Sequence, residues 1–259
     1  MKHVLSVLLA AALLLALAGC TVMEKKDALK LHEGVLDSEF TGLKLDLDVA
    51  DVTIEPGDTF RVAYGLGNEP QIETAGDGTL TIRERAKDRW WEGIHFTSAS
   101  QPYVTITVPE GTVLNKIGVT VDVGDVKVSG LEVGALHADT DVGDLTLQDV
   151  TVQGPMDFSA DVGNVDCRET AVAGTVQIEV DTGDIAFDGS AAAIDAETDV
   201  GNVKLLLPGP AENWAAQLQT DVGDVTVDGL DQGRQYQSRG GQYPLDAETD
   251  TGDITVEFK

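Results

Sequence analysis

The pattern Asp-(Val/Thr)-Gly-(Asp/Asn)-(Val/Leu/Ile) occurs seven times, and this repetition limits the possible folds more than any other feature. The copies begin at Asp122, Asp141, Asp161, Asp181, Asp199, Asp221 and Asp250. They are 19, 20, 20, 18, 22 and 29 residues apart, and a weaker copy begins at Asp48. Self-similarity at such a period is typical of architectures in which short units stack on one another.

Apolar residues occupy fixed positions on both sides of the glycine when the copies are aligned. The residues four positions after the first Asp are Val126, Leu145, Val165, Ile185, Val203, Val225 and Ile254. Polar residues alternate with the apolar ones, which is the period-two pattern of a half-buried strand. The glycine indicates a turn that needs a positive φ or has no room for a Cβ. Each unit is therefore predicted to be a strand, a tight turn, a second strand and a return turn.

Two all-β architectures fit these units. In a parallel β-helix or β-solenoid, each coil of about 20 residues is one unit, and equivalent positions stack about 4.8 Å apart. In a hairpin array, the two strands of each unit pair across the turn. The near-constant step and the identity of the columns favour the solenoid.

The first twenty residues, MKHVLSVLLAAALLLALAGC, have the composition of a secretory signal. Lys2 precedes an apolar stretch that is short for a transmembrane span. The segment Leu17-Ala18-Gly19-Cys20 resembles the bacterial lipobox, which implies cleavage before Cys20 and attachment of a diacylglycerol to its sulfur. We expect a protein anchored to a membrane of the cell envelope through this lipid. Thr21 favours the outer membrane if the cell has two membranes.

The predicted domain organisation follows from these features. We expect a lipoprotein signal peptide at 1–19, the lipidated cysteine with a polar tether at 20–34, and a β-solenoid domain at 35–259. Within that domain, residues 35–115 are predicted to be an irregular β part and residues 116–259 the regular repeats.

The order of elements along the domain resembles a known family. It consists of an alternating strand at 40–54, the segment GDGTLTIRER, a charged loop with Trp90 and Trp91, the segment YVTITVPEG and then the repeated turns. This order is similar to that of the bacterial putative-adhesin family of β-strand repeats, a domain of unknown function, over residues from about 36 to 259. The resemblance implies a parallel β-solenoid and an envelope location, and it brings no catalytic residues with it.

The charge balance restricts the function. The chain has 17 Lys and Arg against 45 Asp and Glu, a net charge of −28, which argues against binding to nucleic acid. No common catalytic motif occurs. We expect a non-catalytic, adhesin-like or scaffold protein that binds an envelope protein or a glycan. The alternatives are an accessory or sensor component of an envelope-stress system and, less favoured, a carbohydrate-active solenoid enzyme.

The acidic turns are one candidate site. Stacking would place Asp122, Asp141, Asp161, Asp181, Asp199, Asp221 and Asp250 in one column, with neighbouring carboxylates about 4.8 Å apart. Their repulsion would be relieved either by Ca²⁺, which binds several oxygen ligands, or by hydrogen bonds from the N–H groups of the turn itself. We favour the hydrogen-bonded turn. Ca²⁺ is the one cofactor for which the pattern offers ligands.

Two segments break the acidic pattern and form a second candidate site. One contains Arg89, Trp90 and Trp91, and the other is the loop 229–244 with Tyr236 and Tyr243. Aromatic residues beside cations can bind a protein or a glycan, and they can also cover the open end of a stack. The tryptophan segment is predicted to form a cap or a binding loop, and the segment 229–244 a protruding loop that offers a contact.

Overall fold

The computed structural model describes residues 31–84 and 101–259. These residues form 26 β-strands and one short 3₁₀ helix, Ala211–Asn213. The predicted signal peptide and lipidation at Cys20, and the predicted binding residues Arg89, Trp90 and Trp91, lie outside the described residues. Within 31–84 and 101–259, no helix has the length and apolar character needed to cross a membrane.

The strands fall into an N-terminal group, a regular repeat and a C-terminal group. The first group is β1 (His32–Leu36), β2 (Gly42–Val49), β3 (Asp51–Gly57), β4 (Arg61–Leu66), β5 (Pro70–Thr74), β6 (Thr79–Glu84), β7 (Tyr103–Pro109) and β8 (Val113–Leu114). The repeat is β9 (Ile117–Val123), β10 (Val126–Ser129), β11 (Glu132–Val133), β12 (Leu136–Val142), β13 (Leu145–Gln148), β14 (Thr151–Val152), β15 (Met156–Val162), β16 (Val165–Val172), β17 (Thr175–Thr182), β18 (Ile185–Ser190), β19 (Ala193–Val200) and β20 (Val203–Leu207). The last group is β21 (Trp214–Val222), β22 (Val225–Val227), β23 (Leu230–Asp231), β24 (Gln235–Gln237), β25 (Tyr243–Thr251) and β26 (Ile254–Phe258).

Two large sheets contain all these strands. Sheet A has 15 strands, with the main order β1-β4-β7-β3-β10-β13-β16-β18-β20-β26-β22-β23 and with β8, β11 and β14 beside it. Sheet B has 11 strands in the order β24-β21-β25-β19-β17-β15-β12-β9-β2-β6-β5. Neighbours pair in parallel through the middle of both sheets and antiparallel at the ends. The predicted all-β fold with stacked parallel strands is confirmed.

The aligned columns of the sequence are also columns of the structure. Ile117, Leu136, Met156, Val176 and Ile194 lie side by side in sheet B. These side chains are buried, as are those that follow the glycine turn in sheet A, and they belong to one hydrophobic cluster. Alternation along each strand therefore sends one set of side chains into a shared interior, which no single unit could form alone.

A third, short ladder replaces part of the predicted return turn. Strands β8, β11, β14 and the end of β16 pair in parallel, each over two residues. Their inward side chains, Leu114, Val133, Val152 and Val172, are buried. The coils that contain these strands consequently have two long walls and one short wall.

The weaker copy at Asp48 is a full member of the stack. Strand β2 pairs with β9 in sheet B, and β3 pairs with β10 in sheet A. The part predicted to be irregular thus contributes a coil in register with the repeats, and only its outer strands β1, β4 and β5 pair antiparallel.

The last two coils do not stack in the order in which they follow along the chain. Strand β25 lies between β19 and β21, so that the copy at Asp250 is inserted between those at Asp199 and Asp221. Strand β26 lies likewise between β20 and β22. The 29-residue step is long enough for the chain to pass the end coil and return, and the returning strands satisfy the backbone groups on both sides of the gap.

The segment 229–244 does not protrude as predicted. Strand β23 pairs antiparallel with β22, and β24 pairs antiparallel with β21, so that this segment covers the C-terminal edge of both sheets. An uncovered edge would present unpaired N–H and C=O groups to other chains, and the antiparallel strands remove part of that hazard.

Paired cysteines will test the inserted order. Oxidation should link the pair in Val200→Cys/Thr251→Cys, because adjacent strands lie about 4.8 Å apart, within the span of a disulfide. It should not link the pair in Val200→Cys/Val222→Cys, which are two strand spacings apart. Peptide mapping by mass spectrometry distinguishes the two. A disulfide in the second variant and none in the first would establish the sequential order instead.

Candidate functional site

The seven coils that begin at Asp122, Asp141, Asp161, Asp181, Asp199, Asp221 and Asp250 pass from sheet B to sheet A through a glycine corner, and these corners lie directly against one another. The coil at Asp48 has Ala50 at this position. Gly143 and Gly163 have φ values of 155° and 159°, which L-residues rarely adopt. A Cβ on Gly163 would overlap the carbonyl oxygen of Gly143, and the same overlap recurs at Gly183 with Gly163. The N–H of Gly143 donates to the carbonyl oxygen of Val162 at 3.0 Å. At these two corners the chain therefore admits glycine alone, for reasons of both conformation and space.

The residue after the glycine forms the second acidic column, which consists of Asp51, Asp125, Asp144, Asn164, Asp184, Asn202, Asp253 and Asp224 in stacking order. The side-chain oxygen of each residue except Asp224, the last in the column, accepts the backbone N–H of the equivalent residue in the next coil. The seven N···O distances along the column are 3.2, 2.9, 2.7, 2.9, 2.7, 2.9 and 2.9 Å. Hydrogen bonds were expected from the turn's own N–H groups, and in the structure they run between coils instead.

Two asparagines interrupt the charge of the second column. The Nδ2 of Asn164 donates to Asp144 at 3.1 Å, and the Nδ2 of Asn202 donates to Asp184 at 3.0 Å. A neutral amide between two carboxylates supplies both an acceptor and a donor, whereas a further Asp would add repulsion. The two asparagines thus continue the ladder of hydrogen bonds with less charge repulsion than Asp would cause at the same positions.

The first acidic column differs from the second in its contacts. Asp122, Asp141, Asp161, Asp181, Asp199, Asp250 and Asp221 occupy it in that stacking order, and all are exposed. Among the hydrogen bonds and ion pairs between described residues, none uses these seven carboxylates. In the described ranges, no three His, Cys, Asp or Glu side chains are grouped so that they could hold a metal ion. Calcium binding at this column stays a prediction.

Buried threonines support the corners from inside. The hydroxyl groups of Thr198, Thr249 and Thr220 donate to the carbonyl oxygens of Gly183, Gly201 and Gly252 at 3.1, 3.0 and 2.8 Å. Thr140 stands at the same position, one residue before the first Asp of its copy. The recurrence of threonine directly before the first Asp of a copy could have indicated this supporting role. The sequence analysis did not identify it.

A line of exposed aliphatic side chains runs between the two acidic columns, and the sequence reasoning missed this line as well. We define the corner ridge as Val49, Val123, Val142, Val162, Thr182, Val200, Thr251 and Val222, which pair in this order across sheet B. Alternation alone would point these side chains inward, but the chain bends at the corner and turns them out. Val162, Val200 and Val222 are 50%, 51% and 59% exposed.

The sheet B face beside the corner accumulates negative charge. Burial, followed by repulsion from Glu84, Asp122 and Asp46, raises the pKa of Asp48 to about 6. Burial and then Glu248 and Glu179 raise the pKa of Glu197. Burial also raises the pKa values of Asp122 and Asp246, each with a neighbouring carboxylate as the second cause. The folded state therefore holds these carboxylates at an electrostatic cost.

The predicted aromatic contacts lie in different places. Tyr236 is part of β24, and its partner across the antiparallel pair is Leu218. Tyr243 begins β25, and its ring centroid is 5.4 Å from that of Trp214. Both tyrosines are half-buried against the core, and Tyr243 lines a cleft of about 450 Å³ with Trp214 and Asn213. A binding role for either tyrosine stays a prediction.

Comparison of the chain with known protein families finds one matching family model. The family model described as Toastrack DUF4097 matches residues 40–193, from the start of β2 to the start of β19. No curated protein matches the chain.

Several solved structures are similar to the chain at low identity. A putative adhesin from Bacteroides fragilis NCTC 9343 is 18% identical, with 90% of this chain and 98% of that chain covered and a TM-score of 0.46. A putative cell adhesion protein from Clostridium sporogenes ATCC 15579 is 16% identical, with 89% and 100% covered and a TM-score of 0.39. A putative lipid binding protein from Parabacteroides distasonis ATCC 8503 is 15% identical, with 89% and 97% covered and a TM-score of 0.33. Likenesses this weak say nothing about what the present chain binds.

The two acidic columns should respond differently to substitution. Asp184→Ala removes the acceptor for the N–H and Nδ2 of Asn202 and should lower the free energy of unfolding by about 1 kcal/mol. Asp184→Asn keeps the acceptor oxygen and should cost less. Asp181→Ala removes a first-column carboxylate and should be neutral or stabilising. Urea unfolding curves measure all three, and an equal loss in the two alanine variants would contradict the assignment of the ladder to the second column.

Stability should rise as the solution is acidified. A carboxyl group whose pKa is higher in the folded state than in the unfolded state binds more protons when folded, so its charge penalty disappears as the pH falls through the folded pKa. For Asp48, that loss of penalty begins near pH 6 and is complete below its unfolded value of about 3.9. The melting temperature should therefore be higher at pH 5 than at pH 7.5.

The variant Asp48→Asn isolates this contribution. It should melt higher than the wild type at pH 7.5 and gain less on acidification, because the group with the raised pKa is gone. Asp58→Asn removes the same charge at an exposed turn and serves as the control for net charge. An identical pH dependence in the wild type and Asp48→Asn would exclude the assigned role of Asp48.

Proposed function

The chain belongs to the Toastrack DUF4097 family, and from this premise we propose that it is a non-catalytic, adhesin-like binding protein of the cell envelope. Its stacked corners form a binding edge, which consists of the first acidic column and the corner ridge. The partner is a component of the envelope, either of the same cell or of another.

The first acidic column is the observation that carries the proposal. In the second column, each Asp or Asn accepts a hydrogen bond from the next coil, which accounts for its recurrence on structural grounds. The first column has an Asp in every copy of the repeat, although no hydrogen bond between described residues uses those seven carboxylates. Adjacent carboxylates repel one another, so the column costs stability without a visible structural return. Display of charge on the surface supplies a reason for its recurrence.

The corner ridge supports the same conclusion. All of its side chains except that of half-buried Val49 are exposed, yet every position holds Val or Thr. Strand propensity favours β-branched residues, a class to which both valine and threonine belong. Thr182 and Thr251 show that the ridge accommodates threonine as well as valine. A continuous exposed aliphatic line is a feature of surfaces that meet a partner.

Anchoring at the envelope is supported by the sequence Leu17-Ala18-Gly19-Cys20. A diacylglycerol on Cys20, with the usual third acyl chain, would hold the protein at a membrane for long periods. The tether predicted at 20–34 ends earlier, because β1 begins at His32. The polar segment between Cys20 and β1 would separate the stack from the bilayer surface. The predicted location is the outer membrane where the cell has two membranes.

The anchor can be tested separately from the binding edge. Cys20→Ser should abolish metabolic labelling with a radioactive fatty acid, because the thiol that carries the diacylglycerol is gone. The protein should also no longer be recovered with the lipid-modified proteins of the membrane. The binding edge remains intact in this variant. Fatty-acid labelling that persists in Cys20→Ser would refute the proposed lipidation.

The binding edge can be tested with beads that carry the full chain in a neutral detergent. Wild-type beads should retain isolated cell envelopes, and Asp141→Asn/Asp161→Asn/Asp181→Asn beads should retain at least about tenfold less. The matched control is Asp58→Asn/Glu110→Gln/Asp149→Asn, which removes equal charge from exposed positions away from the glycine corners. Equal retention by the two triple variants would mean that the first column is not part of a binding surface.

A further inference from the structure

The corner ridge is in register over the whole stack. Its eight positions are spaced by the strand separation of about 4.8 Å, so the ridge is about 34 Å long. Five of its members, Val123, Val142, Val162, Val200 and Val222, are between 39% and 59% exposed. These side chains form a narrow apolar line rather than a broad patch, and a suitable partner would be equally narrow.

The acidic columns on both sides of the ridge define the charge of that partner. The first column lies on the sheet B side and the second on the sheet A side, with only Asn164 and Asn202 uncharged in the second. Four ion pairs with Lys or Arg are formed between described residues, through Asp37, Asp46, Asp166 and Asp188, and Asp157 contacts His137. The two columns take no part in them. Their field favours a cationic partner and repels anionic surfaces.

The spacing favours a helical partner over an extended one. Alternate side chains of a strand are about 6.8 Å apart, which does not match the 4.8 Å period of the ridge. Residues three and four apart on one face of an α-helix are about 5–6 Å apart, which is closer to that period. A helix of about 22 residues spans 34 Å at a rise of 1.5 Å per residue. Lys and Arg beside its apolar stripe would reach carboxylates on both sides.

We propose that the corner ridge binds a basic amphipathic α-helix of a partner protein, which lies along the stack with its apolar stripe on the valines and its cations over the two acidic columns. The proposal rests on the proposed function and names the partner class for the binding edge. Multivalent charge pairing would orient the helix, and the valines would supply the apolar area.

The probe is a synthetic 22-residue peptide with leucines at i, i+3, i+4 and i+7 positions and lysines on both flanks of that stripe. Titration into the full chain in a neutral detergent, with fluorescence anisotropy as the readout and empty micelles as the blank, measures binding. The peptide should bind and become helical by circular dichroism. Its affinity should fall as salt is raised.

Two matched peptides and two chain variants make the test specific. A scrambled peptide of the same composition and a peptide with Glu in place of Lys should each bind at least about tenfold more weakly. Val142→Ser/Val162→Ser/Val200→Ser should weaken binding by a similar factor without unfolding the chain, because Thr already occupies this column. Val113→Ser removes an equally exposed valine from the short third wall and should leave affinity unchanged.

Two results would overturn the proposal. If the scrambled peptide binds as tightly as the amphipathic one, charge alone is responsible and the ridge plays no part. If the triple serine variant, folded by its melting curve, binds like Val113→Ser, the helix lies elsewhere. Either result leaves the bead assay on isolated envelopes as an independent measure of the proposed function, because that assay does not depend on the chemistry of the peptide.

Discussion

The contact between successive glycine corners is the constraint on which the rest of the structure depends. At each corner the backbone of one coil touches the carbonyl group of the next, with no room for a Cβ between them. This approach fixes the separation of the coils at the point where the chain changes from one sheet to the other. Both long walls are then in register, and the aliphatic columns of sheet A and sheet B meet in one interior. A Cβ at one of these glycines would occupy the space of the neighbouring carbonyl oxygen and push the coils apart at the bend.

The same contact explains the chemistry of the corner's surface. Because the corners are aligned, a side chain one residue beyond the glycine lies within reach of the next coil's N–H group, and Asp or Asn at that position forms a ladder. Residues before the glycine cannot join this ladder. They are left as an outer row of carboxylates and a line of exposed valines. The stack therefore produces an ordered acidic and apolar edge as a consequence of its geometry, and the binding function proposed for that edge uses a surface that the fold repeats at every coil.

Much of this fold could be predicted from the sequence, because the repeat carries its own alignment. The period-two pattern gave the strands, and the column of Gly143, Gly163 and Gly183 gave the turn. The position of the copy at Asp250 could not be predicted, since periodicity says which residues are equivalent and not in which order the coils stack. That order depends on the long step before Asp250, whose path is decided by the backbone groups of the end coil.

The candidate site was predictable only in part. The two acidic columns could be identified, but their different roles could not, because the sequence does not say whether a turn Asp binds its own backbone or that of the next coil. The corner ridge escaped prediction for a related reason: Val142 and its equivalents continue a strand pattern that assigns them to the interior, and only the bend turns them outward.

The free energy of unfolding of Gly163→Ala, compared with that of Gly111→Ala, tests the glycine contact most directly. Gly111 has a φ of 75° and nothing within 4 Å of an added Cβ, so its substitution should cost only the conformational penalty of about 1–2 kcal/mol. Gly163→Ala adds the overlap with Gly143 and should cost about 3 kcal/mol or more, or prevent folding. Equal losses in the two variants would show that the coils do not depend on close approach at the corner, and the account of the stack would be wrong.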